Sequence, residues 1–165
     1  MKKIILATVL TLSILVALAL PSSANETLTS QPTVDENGNT IYYYDDGSYT
    51  VVSPVKALSS TTRAATHSVI GTVGAENYSK SNELNWVYTL YGYFTYEEGV
   101  SCVCTNSTFD AKIYKSGWKY YDPSNTWSEN AAYGYIVFKH KVLFVTNSNV
   151  EVDLRVRCDN YGNMY

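Results

Sequence analysis

The stretch "WVYTLYGYFTY", Trp86 to Tyr96, constrains the chain more than any other. Trp86, Tyr88, Leu90, Gly92, Phe94 and Tyr96 fall on one side of an extended backbone. Val87, Thr89, Tyr91, Tyr93 and Thr95 fall on the other. A period of two held this long rules out a helix, whose faces repeat every 3.6 residues. The closing stretch repeats the signal: Val150, Val152, Leu154, Val156 and Cys158 alternate with Glu151, Asp153, Arg155 and Arg157. That strand has one buried and one wet face. Between these two lie Val100, Cys102 and Cys104 in phase, then Phe109, Ala111 and Ile113. A weaker strand from Trp118 to Tyr121 is expected to end at the turn signature "DPSN". "AAYGYIVFKH" reads as a further strand, with "KVLFVT" as its continuation or another. The expectation is an all-β fold: a small antiparallel β-sandwich, immunoglobulin-like, over residues 69–165.

The N-terminal part divides differently. "MKK", an uncharged apolar run and "PSSA" follow the order of a secretory signal peptide, residues 1–24. Residues 25–40 are polar and are expected to form a disordered leader. "IYYYDDGSYTVV", residues 41–52, reads as a β-hairpin around Asp46-Gly47. A type I′ turn there would put Tyr42, Tyr44, Tyr49 and Val51 on one side of the ribbon. Residues 53–68 are rich in Ser, Thr and Ala without sustained periodicity, and are expected to be a flexible linker.

Removal of Lys2 and Lys3 with the leader would leave ten basic residues against fifteen acidic ones. A mildly acidic chain does not neutralise phosphates, so nucleic acid is not an expected partner. No membrane association is expected after leader removal, and the chain is expected to be secreted and extracellular. Three cysteines remain, Cys102, Cys104 and Cys158. In an oxidising compartment an odd number leaves one thiol unpaired. Either Cys102 or Cys104 can reach Cys158, and such a bridge would stabilise the fold by roughly 4 kcal/mol.

Candidate chemistry is sparse, and no catalytic residue, cofactor or metal is expected. The histidines are His67 and His140, and neither adjoins a nucleophile in a sharp glycine-bracketed turn. The acidic pairs Asp35/Glu36, Asp45/Asp46 and Glu97/Glu98 all fall in turn signatures, where Asp caps backbone groups. "DENGN" and "DNYGN" carry oxygen ligands around a glycine but lack the spacing of a calcium loop. Sixteen tyrosines against four phenylalanines and three tryptophans stand out instead. Tyrosine offers a large flat surface and a hydroxyl at low entropic cost. Tyr42, Tyr44, Tyr49, Tyr91, Tyr93, Tyr133 and Tyr135 are the candidate recognition residues.

"WVYTLYGYFTY", the cysteine after it, the isolated Trp118, "NAAYGY", "CDNYGN" and the "YYYDDGSYTVV" hairpin together resemble an uncharacterised family of small secreted proteins of Gram-positive, clostridial-type bacteria. The resemblance implies secretion, an N-terminal hairpin and a C-terminal β domain, and no activity. It also implies a Cys104–Cys158 disulfide, with Cys102 as a departure and a free thiol. The expected function is a non-enzymatic extracellular interaction module that meets a protein or a cell-surface glycan through its tyrosines. An antagonistic protein acting on another cell's envelope and a dedicated glycan-binding module are the alternatives.

Overall fold

The computed structural model of the protein describes residues 26–63, 66–143 and 145–165. The expected leader peptide, residues 1–24, lies outside the described residues. The strands are β1 (Thr33–Val34), β2 (Thr40–Tyr43), β3 (Tyr49–Val52), β4 (Lys56–Arg63), β5 (Thr66–Tyr78), β6 (Leu84–Glu97), β7 (Ser101–Ile113), β8 (Trp118–Ser128), β9 (Ala131–Val142) and β10 (Val145–Arg157). They form two antiparallel sheets. The first runs β1-β2-β3-β5-β6-β7, with β4 also paired to β5, and the second runs β10-β9-β8.

The alternation of β6 is realised as read. Trp86, Tyr88, Leu90, Gly92 and Phe94 are buried, while Val87, Thr89, Tyr91 and Tyr93 are half-buried on the outer face. From the second sheet Ala132, Ile136, Phe138, Val150, Val152, Leu154 and Val156 point into the same core. The sheets meet at one stack: the rings of Trp86 and Phe138 are parallel, with centroids 3.8 Å apart. Trp118 meets Trp86 edge-on at 6.3 Å.

Residues expected to be unstructured or to link are part of the sheet. Within residues 26–40, β1 pairs with β2, and Leu28 bridges Tyr44. Of the stretch 53–68, expected as a flexible linker, the described residues Lys56–Arg63 form β4, and β5 begins at Thr66. β3 and β4 lie end to end along one edge of β5, Tyr49 opposite Tyr78 and Lys56 opposite Thr72. Pro54 interrupts them, because it has no N–H for the ladder. Ser53 repairs the gap: its N–H donates to Gly74 O at 2.9 Å, and its Oγ accepts the Gly74 N–H at 3.0 Å. An edge strand held by backbone bonds needs no apolar face, so its Ser/Thr composition carries no period. The hairpin therefore belongs to the main sheet, not to a separate unit.

The hairpin register also differs by one residue from the expected type I′ turn. Tyr43 pairs with Tyr49 and Tyr42 with Thr50. Gly47 has φ +83, whereas Asp46 is not among the residues with positive φ. A type I′ turn requires positive φ at both central positions; a type I turn closed by a left-handed glycine does not. Tyr44 N–H donates to Ser48 O and Gly47 N–H to Tyr44 O, which closes the longer loop. Tyr42 and Tyr44 consequently part company with Tyr49.

"DPSN" does not end β8 either. The strand continues to Ser128 through a register shift between Tyr121 and Ser124, with Asp122 at φ +51. Pro123 is tolerated because β8 is the edge of its sheet.

The segment before β1 straps the two sheets together. Glu26 N–H donates to Asn149 O of β10, and Asp45 N–H donates to Thr27 O. Burial pushes the Glu26 carboxyl up to about 7, with smaller upward contributions from Asp46 and Asp45 and opposing hydrogen bonds from Ser148 and Ser48.

Two outcomes follow from this architecture. Trp86→Ala removes one partner of the stack and should destabilise the fold by about 3–5 kcal/mol in urea denaturation. For Glu26, the folded state holds its proton more tightly than the unfolded value of 4.5. The strap should be docked best below pH 4.5 and weaken as pH rises towards about 7, read as amide exchange at Thr27 and Thr29. Glu26→Gln should remove that dependence.

Candidate functional site

β9 is the central strand of the second sheet. Ala132, Gly134, Ile136 and Phe138 are buried, so the two tyrosines between them, Tyr133 and Tyr135, point outward. Gly134 permits this: a Cβ there would lie 2.3 Å from Tyr88 Oη and 2.8 Å from Leu90 Cδ1. The Tyr88 and Leu90 side chains occupy the space that a side chain there would need.

Cross-strand pairing arranges two rows of three on the outer face. Ser124, Tyr135 and Asp153 form one; Thr126, Tyr133 and Arg155 form the other. The shift in β8 is essential to this. Continuing the Tyr121–Val137 pairing without it would put Pro123 opposite Tyr135 and turn Ser124 to the inner side. The six side chains line a cavity of about 450 Å³, open to solvent.

The site is polar, charged and aromatic together. Partial burial, followed by the Glu151 charge and a hydrogen bond to Glu151, raises the Tyr135 hydroxyl above its ordinary value. Asp153 and Asp122 add to the same effect. The phenol therefore stays a proton donor at neutral pH. Among the described residues neither Tyr133 nor Tyr135 has an aromatic neighbour, so their ring faces are not occupied by other rings. Asp153 supplies acceptors, Arg155 donors, and the two hydroxyls both.

The other expected tyrosines are dispersed. Tyr42 and Tyr44 line a groove between the hairpin and β10, with Glu151 at its wall. Tyr44 Oη donates to Thr50 Oγ1 at 3.1 Å. Tyr49 lies on the opposite side, stacked on Tyr78 at 5.2 Å and beside Tyr43 at 5.9 Å. Tyr91 and Tyr93 sit half-buried on the outer face of the first sheet, with Thr108 Oγ1 3.4 Å from Tyr93 Oη. The structure thus gathers the seven into separate places, with Tyr133 and Tyr135 in one cavity and Tyr42 and Tyr44 in another. Arg155 and Asp153 were legible as an outward-facing pair, but Ser124 and Thr126 were hidden by the turn reading of "DPSN".

The remaining candidates have structural employment. His140 stacks on Trp118 at 5.2 Å, and His67 on Tyr96 at 4.8 Å. The carboxylates of "DENGN" and "DNYGN" are turned inward on their own loops. Asp35 Oδ1 accepts the N–H groups of Asn37 and Asn39, and Asp159 Oδ1 those of Tyr161 and Asn163. The amides of Asn39 and Asn163 donate to the second oxygens. These bonds hold both carboxyls below the usual value. Among the described residues no group of three His, Cys, Asp or Glu is placed to hold a metal ion.

The expected Cys104–Cys158 disulfide is not formed. All three cysteines are free, with Cys104 and Cys158 buried and Cys102 half-buried. The Cys104 thiol donates to Asn106 O, two residues further along its own strand, at 3.3 Å.

Comparison with protein-family models, with curated proteins and with solved structures finds no match for this chain.

Glu151 is the charge most directly coupled to the site. Glu151→Gln should lower the Tyr135 pKa towards the ordinary value of 10.0 without restoring it fully, since burial remains. An NMR titration of the Tyr135 ring resonances reads this.

Proposed function

We propose that the chain is a non-enzymatic extracellular recognition module, and that its ligand surface is the outer face of β8, β9 and β10 around Tyr133 and Tyr135. The pair of cross-strand rows carries this reading: Ser124, Tyr135 and Asp153 beside Thr126, Tyr133 and Arg155. Such a surface fits a sugar. Ring faces pack against the C–H side of a pyranose, and the hydroxyl, carboxylate and guanidinium groups match its vicinal hydroxyls. The cavity of about 450 Å³ suits one or two sugar units, not an extended crystalline surface.

In fold terms the chain is read as a β-sandwich. Its immunoglobulin-like character rests on two packed antiparallel layers, since the strand order itself is sequential. The basic-apolar-small order of residues 1–24 supports secretion. The resemblance to the secreted clostridial-type family supports secretion and a C-terminal β domain, and the ligand source read here is cell-wall or host glycan.

Glycan arrays and isolated cell wall test the proposal directly. The protein should bind a defined sugar class, and Tyr133→Ala or Tyr135→Ala should each weaken binding about 5- to 10-fold. Tyr49→Ala, in the stacked row on the other sheet, should leave it unchanged. Absence of binding to either material, or equal binding by the Tyr133 and Tyr135 variants, rejects this surface.

A further inference from the structure

Cys158 comes to the same end of the sandwich as Cys102 and Cys104, which lie more than fifty residues earlier in the chain. Cys102 lies on β7 in the first sheet, and Cys158 follows β10 in the second. Two contacts hold these chain ends side by side. Gly99 N–H, in the turn before β7, donates to Asn160 O at 2.9 Å. The ring of Tyr96, the cross-strand partner of Cys102, covers Gly162 so closely that a Cβ there would lie 2.5 Å from Tyr96 Cζ. The loop from Asp159 to Asn163 is therefore fixed against the β6–β7 hairpin.

Within this frame the thiols are not equivalent. The side chains of Cys102 and Cys158 are hydrogen-bonding neighbours. Cys104 is 3% exposed and donates to Asn106 O at 3.3 Å, while the Cys158 thiol donates to Asp159 O at 3.2 Å. Cys158 is fully buried, and Cys102 is the one that solvent touches.

We propose that Cys102 and Cys158 form the disulfide of this protein when it meets a low-molecular-weight disulfide oxidant, and that Cys104 remains a thiol. The half-buried Cys102 sulfur, the one solvent reaches, attacks the oxidant RS–SR, forming a mixed disulfide and releasing one RSH. Cys158 then attacks the Cys102 sulfur and releases the second RSH. The two cysteine protons end on the two RSH molecules, and the two electrons lost by the cysteines reduce the oxidant bond. The product ties the end of the second sheet to β7 of the first. Burial keeps all three thiols protonated above their ordinary range, so closure waits for an oxidant that can reach Cys102.

The test uses the full chain, purified reduced, incubated with glutathione disulfide and mapped by mass spectrometry without reductant. No Lys or Arg separates Cys102 from Cys104, so both lie in the tryptic peptide 81–112, and Cys158 lies in 158–165. The expected result is one free thiol per chain and a link between these peptides that survives in Cys104→Ser and vanishes in Cys102→Ser. Fragmentation at Val103 in the linked wild-type peptide makes the same assignment without a variant. The oxidised form should melt roughly 10 °C above the reduced one. Three free thiols after oxidation, a link that persists in Cys102→Ser, or fragments placing the bond on Cys104 would each overturn the proposal.

Discussion

The parallel stack of Trp86 on Phe138 is the contact around which the two sheets are spaced. Both rings are fully buried, and the stack is tighter than the 10 Å that normally separates two sheets requires of any single pair. Such an approach works only where facing positions are small. Gly92, Ala132 and Gly134 provide that relief: a Cβ on Gly92 would come 2.6 Å from the Phe94 ring and 2.9 Å from Ala132 Cβ. Large rings and missing side chains thus alternate across the interface, as close packing demands. The same alternation reaches the outer surface. Tyr88 fills the space left by Gly134, and Gly134 separates Tyr133 from Tyr135. The spacing of the outward tyrosines is set by what the core needs beneath them.

Turn chemistry does the second part of the work. Four loops share one hydrogen-bond skeleton. In Asp35–Asn39, Tyr44–Ser48, Ser79–Glu83 and Asp159–Asn163 the first N–H donates to the fifth carbonyl, and the fourth N–H to the first. The fourth residue is left-handed in each: Gly38, Gly47, Asn82 and Gly162. Glycine and asparagine adopt that conformation at least cost. Where the first residue is Asp or Ser, its side chain accepts the third and fifth N–H groups. The acidic residues that could suggest ion binding are consumed in holding the backbone.

What could be read from the chain follows from these forces. The two-residue alternation of β6 and β10 was legible because one face of each is buried and the other is not. β4 was not legible, since an edge strand is held by its neighbour's backbone and leaves no apolar mark. The hairpin was legible in place but not in register, because Asp46-Gly47 is compatible with two turns that differ by one residue, and only φ at Asp46 separates them. That single residue moved Tyr49 to the opposite side from Tyr42 and Tyr44. In β8 the shift at Asp122 and Pro123 looked like an ending, which concealed Ser124 and Thr126 from the site. Tyr133 and Tyr135 were visible from parity alone. The cysteine partnership was open by parity, since Cys102 and Cys104 share a face.

The abundance of tyrosine then has a physical division. In the row Tyr43, Tyr49, Tyr78 the rings lie against each other, so their faces are spent on joining the hairpin to β5. Cross-strand aromatic pairs of this kind contribute roughly 0.2–1 kcal/mol each, enough to seat a ribbon that would be marginal alone. Tyr88 is buried in the core, where its hydroxyl finds no partner among the described residues. Tyr133 and Tyr135 differ from both sets. They are successive outward residues of one strand, with polar cross-strand neighbours instead of rings. A ring face left uncovered beside hydroxyls and a charge pair gains nothing for folding that threonine would not supply. Its surplus area is what the proposed ligand surface draws on.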